Sequence, residues 1–226
     1  MFRKIRQKEK ALTIYEKGIK KIPDDSSLKK RAADLLIDQE RYVDAKSYIK
    51  ELPADFAGLY LKGRIYLAQN KLGDSIFYLK ASINEEPLFP YSHFNLGLAY
   101  MAKGDFFFAQ KELLQALGIF PTFFKARIAL ASTYIETSHF EEALSEANKI
   151  IQMNKNYSPA YRLIGDIKLL QKRPKEALNF YETAINHNPG DPRSYIKLGQ
   201  AYRKLKKNDK AVKQWEKALS INPKLI

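Results

Sequence analysis

Apolar residues recur three and four positions apart in short runs along this chain, as in Tyr195, Leu198 and Tyr202 and again in Val212, Trp215 and Leu219. That spacing puts them on one side of an α-helix, with polar residues on the other. The runs themselves repeat. Ala11, Ala45, Ser75, Ala109, Ala143, Ala177 and Ala211 follow one another at intervals of 34, 30, 34, 34, 34 and 34 residues. A second ladder of small residues lies twelve positions before the first, at Ala33, Gly63, Gly97, Ala131, Gly165 and Gly199. A third lies twelve positions after it, at Pro23, Pro87, Pro121, Pro189 and Pro223, with Lys155 as the exception. Proline cannot continue a helix, so each marks an end. Every unit therefore predicts two helices. A glycine or alanine on the first lets the second approach, and the residue four after the alanine fills the space beside it.

The one interval of 30 has a mechanical reading. Proline also arrives four residues early, at Pro53, so the loss falls between Ala45 and Pro53. Four residues are about one helical turn, and removing a turn leaves the helix face almost unchanged. Ala11 has only ten residues before it, so the array opens in mid-repeat. At the other end Ile226 follows the last repeat with no added helix to cover it, although solenoid ends are normally capped. A fragment of a longer protein is the expectation from both ends.

With its ladders in register, the sequence resembles the tetratricopeptide repeat family. The last unit carries the match, in Tyr195, Leu198, Gly199, Tyr202, Ala211, Trp215, Ala218 and Pro223. Departures are Lys62 in place of a core leucine, Lys168 in place of tyrosine, Ala147 in place of a bulky residue and Lys155 in place of proline. Pentatricopeptide repeats have a nearly equal period but lack these small-residue and proline ladders. The resemblance implies an all-α, right-handed α-solenoid of antiparallel helix pairs with about 13 helices. It also implies a single array over 1–226: a half repeat at 1–23, then full repeats at 24–53, 54–87, 88–121, 122–155, 156–189 and 190–226. The family's function is that of a non-catalytic scaffold, with the first helix of each pair lining a concave groove.

Composition agrees with a folded chain. Of 226 residues 45% are hydrophobic, and 14 Tyr and 13 Phe against 10 Gly and 10 Pro argue against disorder. The absence of cysteine removes disulfides, thiolate metal sites and a cysteine nucleophile. No run approaches the ~20 apolar residues of a membrane span, and the basic opening MFRKIRQKEK has no apolar stretch behind it. With neither signal nor span in view, the compartment stays open between cytoplasm and periplasm. A net charge of +14 suggests a nucleic-acid partner, but its distribution speaks against one. Residues 1–50 carry a net +6, residues 51–155 a net −1 and residues 156–226 a net +9, so a phosphate-tracking face would break halfway.

Candidate chemistry is sparse. His93, His139 and His187 lie 46 and 48 residues apart in different repeats, without metal-ligand spacing. Glu85 with Glu86 and Glu141 with Glu142 are adjacent pairs, which point in different directions from a helix and cannot flank one substrate atom. No phosphate-binding loop or nucleophile elbow occurs. No catalytic residue, cofactor or metal is expected.

Binding is expected instead, from a peptide or partner protein. On the first helices the columns Tyr60, Phe94, Ile128, Arg162, Ile196 and Leu67, Met101, Ile135, Leu169, Arg203 turn from apolar to basic. Tyr91 and Leu98 extend the apolar part. Some co-chaperones of the family clamp a C-terminal carboxylate with lysine, asparagine and arginine from three repeats. The corresponding positions here are Tyr60, Arg64, Asn95, Lys125 and Ala129, which leaves Arg64, Asn95 and Lys125 as donors for a carbonyl or carboxylate. A second surface is expected on the convex side, where Phe77, Phe107 and Phe108 stand at positions held by charged residues in other repeats, such as Lys111, Glu141 and Glu142. Self-association through the repeat ends or this patch belongs to the same expectation. The bare loops and Lys/Ile/Asn-rich style resemble bacterial arrays that serve multiprotein assemblies. The alternative reading is a regulatory or substrate-binding segment of a larger enzyme such as a glycosyltransferase, and the third is a nucleic-acid binder.

Overall fold

The computed structural model describes residues 2–223, with side chains from Gln7 onward, so the end at Ile226 lies outside the described residues. Thirteen helices account for nearly all of them. Helix α1 (Phe2–Lys21) precedes six pairs: α2 (Ser26–Ile37) with α3 (Tyr42–Lys50), α4 (Phe56–Ala68) with α5 (Leu72–Glu85), α6 (Pro90–Lys103) with α7 (Phe106–Ile119), α8 (Phe124–Glu136) with α9 (Phe140–Met153), α10 (Ser158–Leu170) with α11 (Pro174–His187), and α12 (Pro192–Lys204) with α13 (Asn208–Ile221). The helices group into two compact units, α1–α7 and α8–α13. Each is a stack of antiparallel helix pairs.

Local sequence sets the helix ends. Asp25, Asp55 and Asp191 cap α2, α4 and α12 by accepting hydrogen bonds from backbone N–H groups of the first turn. Prolines lie within the first two positions of α6, α10, α11 and α12, where a missing N–H is harmless.

Inside each pair a small residue on the first helix meets a large one sixteen positions later on the second. In the first unit a Cβ added to Gly97 would come within 2.7 Å of Leu113 Cγ, and one on Gly63 within 2.5 Å of Leu79 Cγ. In the second unit the partner of Gly165 is Tyr181 and that of Gly199 is Trp215. At Ala131 and Ala147 both members are small, and both are fully buried. Leu163, Ile164 and Ile167 of α10 share their core and supply the bulk that Ala147 lacks.

The turn between paired helices uses one left-handed residue in every pair. Glu40, Asn70, Gly104, Ser138, Lys172 and Lys206 have φ between 56° and 83°, and Gly104 is the only glycine among them. The shortened repeat is equally plain. Helix α3 has 9 residues where α5, α7, α9, α11 and α13 have 14. Ion pairs from α2, Lys29 to Glu51 and Lys30 to Asp55, brace the segment that replaces the lost turn.

A further repeating contact joins a side chain on three of the first helices, α6, α8 and α10, to the carbonyl six residues before it. His93 Nε2 lies 3.0 Å from the oxygen of Pro87, Arg127 Nη2 donates to Pro121 at 2.9 Å and Tyr161 Oη to Lys155 at 2.8 Å. The first two cations also meet a carboxylate on the second helix, Glu112 for His93 and Glu146 for Arg127. Both ring nitrogens of His93 face acceptors, an arrangement that only the imidazolium satisfies on both sides. Burial disfavours that charge, but the hydrogen bonds to Glu112 and Pro87 outweigh it and raise the pKa above the ordinary imidazole value.

Gly97→Ala should destabilise the chain by about 1–3 kcal/mol in urea unfolding, whereas Gly118→Ala, with no heavy atom within 4 Å of the added carbon, should leave it unchanged or slightly more stable. Because the folded pKa of His93 is raised, its contribution is fully present below the unfolded imidazole pKa and is lost as pH rises through the folded value. Melting temperature measured from pH 6 upward should fall through that window in the parent chain, and Glu112→Gln should flatten the fall.

Candidate partner-binding face

First helices of successive pairs touch in each unit, α2 with α4 and α4 with α6 in one, α8 with α10 and α10 with α12 in the other. Their outward stripes carry the residues that the sequence columns name. On α6 the residues Tyr91, Phe94, Asn95 and Leu98 share a stripe by their three- and four-residue spacing, as Tyr60 and Arg64 do on α4. Phe94, Leu98 and Tyr60 are half-buried and Tyr91 is exposed.

An aromatic cluster organises this face in the first unit. The Tyr60 ring meets Phe89 edge-on at 5.1 Å, and Phe89 in turn contacts Phe56 at 5.4 Å and Tyr91 at 5.4 Å. Burial pushes the Tyr60 hydroxyl up to about 12, against the opposing pull of the Arg64 cation. Phe56 and Phe89 are members that the columns of the sequence miss. A signal was present, because the same contact recurs two periods on, where Phe124 and Tyr157 lie 5.1 Å apart.

Two of the three donors read from the sequence, Arg64 and Asn95, have internal partners. Arg64 on α4 spans Asp34 of α2 and Asp38 at its C-terminal cap, and its guanidinium lies 5.6 Å from the Tyr60 ring centroid. Asn95 is buried and donates to the backbone oxygen of Tyr91 at 2.8 Å. The sequence offers both as donors to a ligand carboxylate; in this structure each serves an acceptor of the same unit. In the second unit Arg162 is tied to Asp191. Burial works against a charged Asp191, but the hydrogen bond from Arg193 and the Arg162 cation hold its carboxyl below the usual range. Arg162 therefore fastens α10 to the cap of α12. Lys125 is exposed and makes no ion pair among the described residues, and Ile128 beside it is half-buried. They leave the second unit a sparser face than the first.

On the second helices Phe77 is 66% and Phe107 74% exposed. Phe107 leans edge-on against Phe108, and Phe108 is partly shielded by stacking on Tyr100 at 5.3 Å. Phe77 meets Tyr78 at 5.2 Å. Among the described residues no ring contact joins Phe77 to Phe107, and no cluster of His, Asp and Glu has the makings of a metal site. No described helix is long and apolar enough to cross a membrane.

These paired helices, their glycine contacts and their period define a helical repeat protein. Profiles of the tetratricopeptide repeat match residues 60–122 and 192–225, so the chain carries repeats of that family. Superkiller protein 3 of Schizosaccharomyces pombe is 24% identical over 211 residues, which cover 89% of this chain but 15% of the relative. The chain thus spans a small part of that protein. The crystal structure of MamA is 25% identical with a TM-score of 0.56, over 72% of this chain and 95% of MamA. That of YrrB, described as a TPR protein with an unusual peptide-binding site, is 17% identical with a TM-score of 0.52, over 80% of this chain and 93% of YrrB. At that identity the likeness is one of fold.

Arg64→Met tests the reassignment of the arginine. Its two carboxylate partners are about half exposed and can rehydrate, so the expected loss is about 1 kcal/mol of unfolding free energy, read in the urea midpoint.

Proposed function

We propose that this chain is a non-catalytic scaffold that holds a peptide or partner protein against the outward stripe of its first helices. The observation that carries the proposal is the aromatic cluster of Tyr60, Phe89 and Tyr91, continued by Phe94 and Leu98 on α6. Large, rigid, partly exposed rings give contact area at little cost in conformational entropy, which is why such residues anchor interfaces. The fold shared with YrrB, a peptide-binding protein by its description, supports the same use. Apolar contact on this face, rather than a carboxylate clamp, is the mode of recognition, because Arg64 and Asn95 are already engaged. The exposed rings of Phe77 and Phe107 serve a separate contact, with another copy of the chain.

Affinity capture with the purified chain, followed by mass spectrometry, identifies the partner, and variants locate it. Tyr91→Glu and Phe94→Glu are each expected to reduce recovery of that partner at least ~10-fold, the usual weight of an aromatic anchor. The doubly changed Phe77→Glu, Phe107→Glu chain should keep it. Full recovery by Tyr91→Glu and Phe94→Glu chains that still melt cooperatively would sink the proposal.

A further inference from the structure

A cleft of about 290 Å³ opens between α3, α4 and α5, and three lysines line it: Lys46, Lys50 and Lys62. Its floor is Ile49 and Ile65, both buried. Tyr66 and Tyr78 complete it as a parallel stack, with ring centroids 5.3 Å apart and planes 2° from parallel. Lys62 Nζ sits 5.8 Å from the centre of the Tyr78 ring. No carboxylate lines the cleft, and none of the three lysines has an ion pair among the described residues.

Two of these lysines replace apolar residues. One period after Lys62 the chain has Leu96, then Leu130, Ile164 and Leu198, all buried. The α3 position of Lys46 is held by Ile76, Leu144, Leu178 and Val212 on other second helices, with Gln110 as the polar exception. Tyr78, in turn, stands where Glu112 and Glu146 stand in the next two repeats, so the carboxylate that those repeats carry is missing here. A lysine can lay its stem on apolar surface and keep its charge in water, and one such replacement would need no other reason. Three that line one cleft, two of them at apolar positions, leave a concentration of positive charge: no carboxylate shares the lining, and Glu51, which feels Lys50, is paired with Lys29.

We propose that this cleft binds a phosphate monoester carried on a flat ring. The dianion offers three acceptor oxygens to three ammonium groups, and charge-assisted bonds of this kind are the strong ones. The stacked tyrosines give the ring an aromatic wall. The volume is at the lower end for ligand sites, which limits the ligand to a single phosphorylated side chain or one nucleotide. The site is separate from the face proposed for the protein partner, and it stands or falls independently of that face.

The test is calorimetric titration of the whole chain with phenyl phosphate, inorganic phosphate and benzoate, at low and at moderate salt. Saturable binding of phenyl phosphate that weakens with salt, and no comparable binding of benzoate, is the expected result. Phosphotyrosine amide and adenosine monophosphate then distinguish the two sources of the same chemistry by which binds more tightly. Lys62→Leu and Lys46→Ile put back residues that other repeats carry, so these variants should fold, and each should weaken phenyl phosphate at least ~10-fold, the equivalent of one charge-assisted bond. Affinity within twofold of the parent in the doubly changed chain would overturn the proposal. So would the absence of saturable binding by any phosphate probe at millimolar concentration.

Discussion

Each helix pair depends on one close approach, a glycine or alanine on the first helix against the residue sixteen positions later on the second. Where Gly165 meets Tyr181 and Gly199 meets Trp215, an added methyl group has no room. That contact fixes how near the two helices lie, and with it which residues face inward and which remain for a partner. It also explains why the period can lose four residues and survive. Helix α3 is cut at its far end, while Ala33, Ala45 and Ile49 stay buried together.

This dependence accounts for what could be read from the sequence. The small-residue ladders, the proline ladder and the single short interval are consequences of the contact repeated, and a repeated consequence is visible without coordinates. The exception at Ala147 was visible as well, but its remedy was not, because Leu163, Ile164 and Ile167 come from the following repeat. The candidate site was less legible for a similar reason. Arg64 and Arg162 read as free cations when their own helices are considered alone. Their acceptors lie 26 to 30 residues away, on or at the ends of a neighbouring first helix. A search for opposite charges nearly one period apart would have found these pairs. The Tyr60 and Phe89 cluster escaped because its members come from different positions within the repeat, whereas columns follow only one position at a time.

Repetition also shows which contacts are defined by geometry rather than by residue type. An imidazole, a guanidinium and a phenol reach the same carbonyl position at His93, Arg127 and Tyr161. Only a donor of suitable length is required there. The cleft beneath Lys62 presents the opposite case, in which the backbone arrangement is kept and the side chains change from apolar to cationic. The two units differ in the same manner: the first has its rings gathered on the first helices, and the second has arginine tied to aspartate at a corresponding place.

The left-handed residue in each interhelix turn has a wider meaning. Five of the six are not glycine, and each such residue is held in a conformation that L-amino acids enter at a cost of about 1–2 kcal/mol. The helices on either side therefore dictate the turn, and the turn contributes little to choosing the fold. A position whose shape is imposed from outside is free in its chemistry. Glu40, Asn70, Ser138 and Lys172 run from acid through amide and hydroxyl to base at one geometric point. Such turns are places where a repeat protein acquires a new surface character by single substitutions while its interior stays as it was.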